Sequence, residues 1–583
     1  MMRRLAPLLL ALAASASAQE QLIREVTDPK TDTHVEITSL FSEPPSHGYL
    51  PVRVTIANRL ESNRSVTVSF ECNTNGSYRD EGSKMTSSFT FDAPAEKSSD
   101  HDILVPLPTA IGGRGTGTSV KTTLSGTLGN SSHTLSGEFA ENQPGVLMGE
   151  KLYTANALDL SKEAGSHLST YRGSVTFASR FDARRMPDDW RAYSGYDHVI
   201  MTDDEWTTCS PGAKTALLAW IRLGGHLRIY TSTGTATGLN LPVDTSFGSV
   251  KVEKTSGGAL KLDAPAVVNA ILAKGPRSSQ LESINNDYNA RWPLQDDFGK
   301  VGFNYAVFIV ILIAFGVVVG PVNLFVFAKT GRRHRLFITT PLISLAASLL
   351  LVILILLQDG FGGRGVRVAL MEVRPDNSEN AAYIHQEQFS RTGVLTGVRF
   401  TLQDAAVISP VPIAEDNRWA RLTTTNGGGG NGYSANFVDG KLETAGDWFQ
   451  SRSEQGQILE AVIPTRGRIE RATGGGDPSL LSTFDFPIET LLFRDDSKQW
   501  WKATNVQPGS RIQPVTITDA EANGIIDIEK GRLGNRNANL LDKVKLRDGS
   551  FIATTLKAPA VETYKSIKWQ QTRTVITGPV IIP

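Results

Sequence analysis

Three kinds of hydrophobic pattern follow one another along the chain. Between His34 and Phe139, apolar and polar residues alternate in short runs: Val35/Ile37, Val52/Val54/Ile56, Val66/Val68/Phe70, Phe89/Phe91 and Ile103/Val105. A period of two is that of half-buried strands, and polar turn clusters at residues 61–64 and 73–76 separate the runs. The pattern predicts an immunoglobulin-like β-sandwich over residues 19–140. From Gly145 the pattern changes. Residues 145–148, 175–177, 196–202 and 227–231 read as strands, the third ending in the acidic turn Asp203-Asp204-Glu205. Ser210 suits a helix N-cap and Pro211 the first helical position. Ala213, Ala216, Leu217, Trp220 and Ile221 then share one helical face, and Gly224-Gly225 ends the helix. Strand, helix and strand in about thirty residues make a βαβ unit, so residues 141–275 are expected to form a doubly wound α/β domain, followed by a linker at 276–302.

The third pattern is an apolar stretch, residues 303–357, broken only at 329–335. Residues 303–328 and 336–357 are each long enough, as helices, to cross a hydrocarbon core of ~30 Å. The break carries Lys329, Arg332, Arg333 and Arg335, and the positive-inside rule puts such a loop in the cytoplasm. The expectation is a two-helix transmembrane hairpin in the cell inner (plasma) membrane, with the bulk of the protein extracytoplasmic. Arg3 and Arg4, an apolar run at 5–14 and Ala16-Ser17-Ala18 match a signal peptide over residues 1–18, which agrees with a periplasmic location. Residues 358–583 return to strand patterns, at 366–370, 398–402, 419–423, 458–463, 490–493 and 551–556, with glycine-rich loops at 426–432 and 474–476. They are expected to form an extracytoplasmic β-rich domain.

Composition removes several functions. Lys and Arg total 59, as do Asp and Glu, so the chain has no electrostatic footprint for nucleic acid. Two cysteines, Cys72 and Cys209, fall in different expected domains, which excludes a disulfide scaffold. No His-Glu-x-x-His, Cys-x-x-Cys or Gly-x-Ser-x-Gly occurs, so neither a metal nor a cofactor is expected. The candidate binding residues are Asp203, Asp204, Glu205 and Trp206, at a strand end where α/β folds place ligands. Carboxylates there suit a divalent cation; the plainer reading is a solvated acidic turn favoured by the helix dipole. Asp244-Thr-Ser-Phe-Gly248 narrowly misses an Asp-x-Ser-x-Ser metal motif, because Gly248 replaces the second Ser. Trp448, Trp500 and Trp501 suit either a sugar-stacking surface or a core.

Met186-Pro187, Trp190, residues 196–200, 217–221 and 224–227, with Gly320-Pro321-Val-Asn323 and Thr340-Pro341 in the apolar stretch, resemble a group of uncharacterised bacterial membrane proteins. That group has a class I glutamine-amidotransferase-like domain, and the resemblance spans residues 145–360. It implies architecture only. A working amidotransferase has a Gly-x-Cys-x-Gly elbow that exposes a thiolate beside oxyanion donors, whereas Cys209 stands in Thr207-Thr-Cys-Ser-Pro211, without flanking glycines. The domain is therefore expected to be catalytically degenerate. The function expected is that of a membrane-anchored extracytoplasmic binding or scaffold protein in an envelope or transport-associated complex, with an envelope protein as partner. The alternative is an amidotransferase-like or hydrolase-like enzyme with an unrecognised site around residues 203–206.

Overall fold

The computed structural model describes residues 20–75, 83–109, 116–140, 142–168, 175–242, 244–256, 260–276, 292–298, 305–327, 331, 333–375, 380–411, 432–438, 440–472 and 477–582. The signal peptide expected at 1–18, Lys329, Arg332, most of the expected linker, the expected strand at 419–423 and the glycine run at 474–476 lie outside them. Among the described residues the fold is mostly β, with 44% in strands and 25% in helices.

The N-terminal alternation does produce two sheets. One has the strand order Glu20–Asp28, Thr33–Ser39, Gly48–Asn58, Lys97–Leu107. The second centres on Arg64–Asn75, whose Val66, Val68, Phe70 and Cys72 all point into the core, as a period of two requires. This second sheet is not confined to residues 19–140. Its seven strands include Phe400–Leu402, Gly432–Val438 and Lys441–Gly446. Gly432–Val438 lies parallel to Lys84–Ala93 in the register Gly432↔Lys84, Tyr433↔Met85, Ser434↔Thr86. Asn436 Oδ1 accepts a further bond from the Ser88 N–H at 2.8 Å. The chain leaves the sandwich, builds two other regions and comes back to complete it.

The remainder of the C-terminal region is a 12-stranded sheet, with Gly363–Arg374 at its centre between Ala381–Thr392 (antiparallel) and Ile567–Ile581 (parallel). Ala381–Thr392 is buried along almost its whole length although it carries His385, Gln386, Glu387 and Gln388. Burial of so many polar groups costs free energy unless each finds a partner. The glutamines do: Gln386 Nε2 donates to Gln388 Oε1 (3.1 Å) and Val561 O (3.0 Å), and Gln388 Nε2 donates to Gln457 Oε1 (3.0 Å). Glu387 accepts from Trp292 Nε1 (2.7 Å), Asn537 Nδ2 (2.7 Å) and the Gly534 N–H, which tops the helix Asn535–Val544.

The apolar stretch does not form the expected transmembrane hairpin. Its first half splits into an α-helix, Tyr305–Val317, of 13 residues, and a π-helical segment, Val318–Phe327, with Pro321 inside. Proline lacks the N–H that an α-helix interior needs, and 13 residues rise only ~20 Å at 1.5 Å each. The second half forms Leu336–Asp359, with Pro341 inside, and Asn323 Nδ2 donates to Thr340 Oγ1 at 2.9 Å to join the halves. Among the described residues no helix is long and apolar enough to cross a membrane. This corrects the two spans, the inner-membrane location and the orientation drawn from Lys329, Arg332, Arg333 and Arg335. Arg333 and Arg335 are exposed and belong to a single 3-10 turn.

Candidate functional site

Residues 146–254 hold five parallel strands in the spatial order Ser179–Phe181, Val146–Gly149, His198–Thr202, His226–Thr231, Ser249–Lys254. Numbered along the chain, that order is second, first, third, fourth, fifth. The edge strand Ser179–Phe181 starts later than the 175–177 expected from sequence. The helix Pro211–Arg222 packs Leu217, Trp220 and Ile221 against Val199, Met201, Leu227 and Ile229 on one face. The helices Glu150–His167 and Ala264–Leu272 cover the other through Leu152, Leu160, Val268 and Ile271. The chain thus leaves the adjacent strands Val146–Gly149 and His198–Thr202 toward opposite faces. In open α/β sheets the crevice at such a switch point, at the carboxyl ends of the strands, is where ligands bind.

The candidate residues Asp203, Asp204, Glu205 and Trp206 stand at this crevice, on the short helix Asp203–Thr208. Their side chains separate. Glu205 turns inward and is 5% exposed. Its Oε2 accepts from the Thr202 N–H (2.8 Å) and Thr202 Oγ1 (3.0 Å), while Thr202 Oγ1 accepts from the Glu205 N–H (3.2 Å). This reciprocal capping box is legible as Thr-x-x-Glu. The sequence does not reveal that Glu205 Oε1 also accepts from the Lys151 N–H, at 3.0 Å, in the first turn of Glu150–His167. Trp206 is buried too, its Nε1 donating to Leu239 O at 2.9 Å, so it offers no aromatic anchor to a partner. Asp203 Oδ1 accepts from the Asp204 N–H, and the exposed Asp204 pairs with Lys151 Nζ at 3.0 Å. Of the four candidates, the two aspartates face outward. Among the described residues no group of three or more His, Cys, Asp or Glu side chains is placed to hold a metal ion.

Cys209 caps the same short helix. Its Sγ lies 3.2 Å from Glu205 O and 3.5 Å from Met186 Sδ, and burial pushes the thiol up to about 11. Such a group is a thiol, not a thiolate, at neutral pH. Cys72 is likewise free and buried. The tryptophans make no sugar-binding surface. Trp448 and Trp500 are each 2% exposed, and Trp501 packs partly buried with its Nε1 donating to Asp495 Oδ2 at 2.9 Å.

The segment 244–248, set aside as a failed metal motif, docks the α/β domain on the C-terminal sheet. Phe247 is fully buried and meets His385 edge-on at 5.3 Å. Asp244 pairs with Arg374 at 2.6 Å, and Arg374 also pairs with Glu372 at 2.5 Å. Arg547 lies 3.1 Å from the same Glu372 oxygen and donates to Ser246 O. Burial works against ionising Asp244, but the Arg374 and Arg547 guanidiniums and the Ser246 N–H outweigh it and hold the carboxyl below its ordinary value. Gly248 is required sterically: a Cβ there would lie 2.1 Å from Ile221 O.

At the opposite edge, the sandwich loop 41–48 covers Ser179–Phe181. Phe41 bridges Phe181, the Ser42 N–H donates to Arg180 O at 3.0 Å and the Glu43 N–H to Ser179 Oγ at 2.9 Å. Burial raises the Glu43 carboxyl to about 7, against a hydrogen bond with Thr176 that lowers it. A carboxyl with a folded-state value above its unfolded one contributes stability that is complete below the unfolded value and is lost as pH rises through the folded one. Unfolding free energy is therefore expected to fall by on the order of 2 kcal/mol between pH 4.5 and 8 through this group. Denaturant titrations of Glu43→Gln across that range should lack this component. Parallel pH profiles for the variant and the native chain would refute the assignment.

No protein-family profile and no curated protein matches this chain. Among solved structures, the sporulation control protein Spo0M of Bacillus subtilis matches at 13% identity and TM-score 0.13, over 18% of this chain and 47% of that one. The curli protein CsgC of E. coli matches at 15% identity and TM-score 0.11, over 18% of this chain and 97% of its own. A calcium-binding mutant of Bacteroides uniformis beta-glucuronidase 2 matches at 13% identity and TM-score 0.15, over 37% and 26%. This chain spans about half the length of the Spo0M chain. At these scores the matches carry no argument about fold or function, and none of them points to a glutamine-amidotransferase-like domain.

Proposed function

We propose that the protein is a non-catalytic binding or scaffold protein that docks a macromolecular partner. The observation that carries this reading is one apolar core shared by three parts of the chain. It contains Leu40, Phe41 and Tyr49 from the sandwich, Val199, Leu217 and Trp220 from the α/β domain, and Tyr383 and Val407 from the C-terminal region. A shared, close-packed core holds the three parts in fixed orientation, which suits presentation of a preformed surface. The buried, protonated Cys209 is the opposite of what thiol catalysis needs.

The docking surface proposed is the outward turn carrying Asp203 and Asp204. With Trp206 buried, the turn offers charge without an aromatic anchor, so its partner presents a basic surface and the contact is salt-sensitive. A photo-crosslinking residue placed at Asp203 in the full chain should capture one basic partner. That capture should be lost in Asp204→Lys and retained in Cys209→Ser. If the purified protein instead turned over a small molecule, and Asp203→Ala or Asp204→Ala abolished turnover with the fold intact, the docking reading would be wrong.

A further inference from the structure

We infer that the α/β domain has an anion-binding site at its switch point, and that the chain fills this site permanently with its own Glu205 carboxylate. The inference rests on the non-catalytic reading above and gives it a structural cause.

Four features coincide in the crevice. The 18-residue helix Glu150–His167 begins there, and its N-cap residue, Gly149, makes no side-chain cap hydrogen bond. The N-terminus of a helix that long carries unpaired N–H groups and a partial positive charge, which together attract an anion. An anion is in fact bound: the Glu205 carboxylate, 5% exposed, accepts from Lys151 N on one side and from Thr202 N and Oγ1 on the other. Donors thus converge from both strands that form the switch point. The residue facing the carboxylate has been kept small, since a Cβ at Gly149 would lie 2.3 Å from Glu205 Oε2.

A planar carboxylate presents two oxygens, much as the edge of a phosphate does, and here both are used. A phosphate-bearing ligand would have to displace a buried, hydrogen-bonded carboxylate and leave it beside its own charge. At the exposed mouth the Lys151 ammonium is already paired with Asp204, so the chain also supplies the counter-ion of that lysine. The crevice is therefore closed to nucleotides and phosphorylated metabolites, and Glu205 serves as an internal cap shared by Glu150–His167 and its own short helix.

The test uses the full-length protein and inorganic phosphate, followed by thermal unfolding at constant ionic strength. Wild type is expected to show no saturable rise in Tm with phosphate. Glu205→Ala should melt lower and recover part of the loss in a saturable way, because phosphate can enter the vacated space. Glu205→Gln keeps the volume without the charge, so it should also melt lower but gain nothing from phosphate. A folded Glu205→Ala that ignores phosphate would refute the inference, as would saturable phosphate binding by wild type. Should Glu205→Ala not fold, Gly149→Ala replaces it. Crowding the carboxylate out of its seat should speed hydrogen exchange at the Lys151 amide, and unchanged exchange there would equally overturn the assignment. None of these failures touches the Asp203–Asp204 docking surface, whose own test is the crosslink.

Discussion

Trp220→Ala is expected to lower the unfolding free energy by roughly 3–5 kcal/mol, the range for deleting a fully buried large aromatic. Trp220 has no exposed surface, its Nε1 donates to Tyr196 O at 3.2 Å, and its ring lies 6.3 Å from that of Tyr193. Removing it empties a cavity in the core shared by all three parts of the chain and leaves the Tyr196 carbonyl without that donor. The same packing makes Gly225 a second sensitive position, because a Cβ there would lie 2.3 Å from the indole ring. Gly225→Ala should therefore cost about 1–3 kcal/mol through overpacking. Urea titrations with a common m-value would measure both, and a Trp220→Ala loss below about 1 kcal/mol would show that the side chain does not hold the core together.

The second large effect is expected at the contact between the α/β domain and the C-terminal sheet. Arg374→Ala should cost roughly 3–5 kcal/mol, because it removes the closest cation from a buried carboxylate. Glu372 is 0% exposed, and its Oε2 already has no hydrogen-bond partner, so its charge depends on Arg374 at 2.5 Å and Arg547 at 3.1 Å. Asp244 loses its closer guanidinium in the same substitution and keeps only Arg547, at 3.6 Å. The loss should come mainly from the stranded charge. Arg374→Met combined with Glu372→Leu should consequently recover most of it, since apolar residues of similar volume often replace a buried ion pair without penalty. A double variant no more stable than Arg374→Ala alone would locate the effect in the geometry of the 244–248 segment instead.

Local patterns were legible in the sequence, and contacts between distant segments were not. Ser210-Pro211, the spacing of Ala213, Leu217, Trp220 and Ile221, and the positive φ of 106° at Gly224 all agree with the expected helix. The Thr202-x-x-Glu205 box was equally readable, but Lys151 lies 54 residues from Glu205, and nothing local announces their meeting. Trp206 was a candidate binding residue by its place at the strand end, but its indole N–H donates to the distant Leu239 carbonyl and the ring is buried. The helices Asp519–Lys530 and Asn535–Val544 escaped notice within a β-rich stretch, although Thr518 and Glu521 mark the start of the first. The apolar stretch at 303–357 misled in the other direction. Hydropathy alone does not register that Pro321 sits in a π-helical segment and limits the preceding α-helix to 13 residues.

The return of the chain to its first sandwich bears on how the protein is made. Lys84–Ala93 reaches its partner Gly432–Val438 only after some 350 further residues have left the ribosome, as the separation of 348 between Ser88 and Asn436 indicates. Until then an emerged strand with unpaired backbone groups stays open, and such edges invite pairing with the wrong chain. The sandwich cannot finish folding until the strands between Phe400 and Gly446 have been made. Its closure must wait for the C-terminal region, so a nascent chain stalled before residue 432 is the form most exposed to aggregation and most in need of a chaperone.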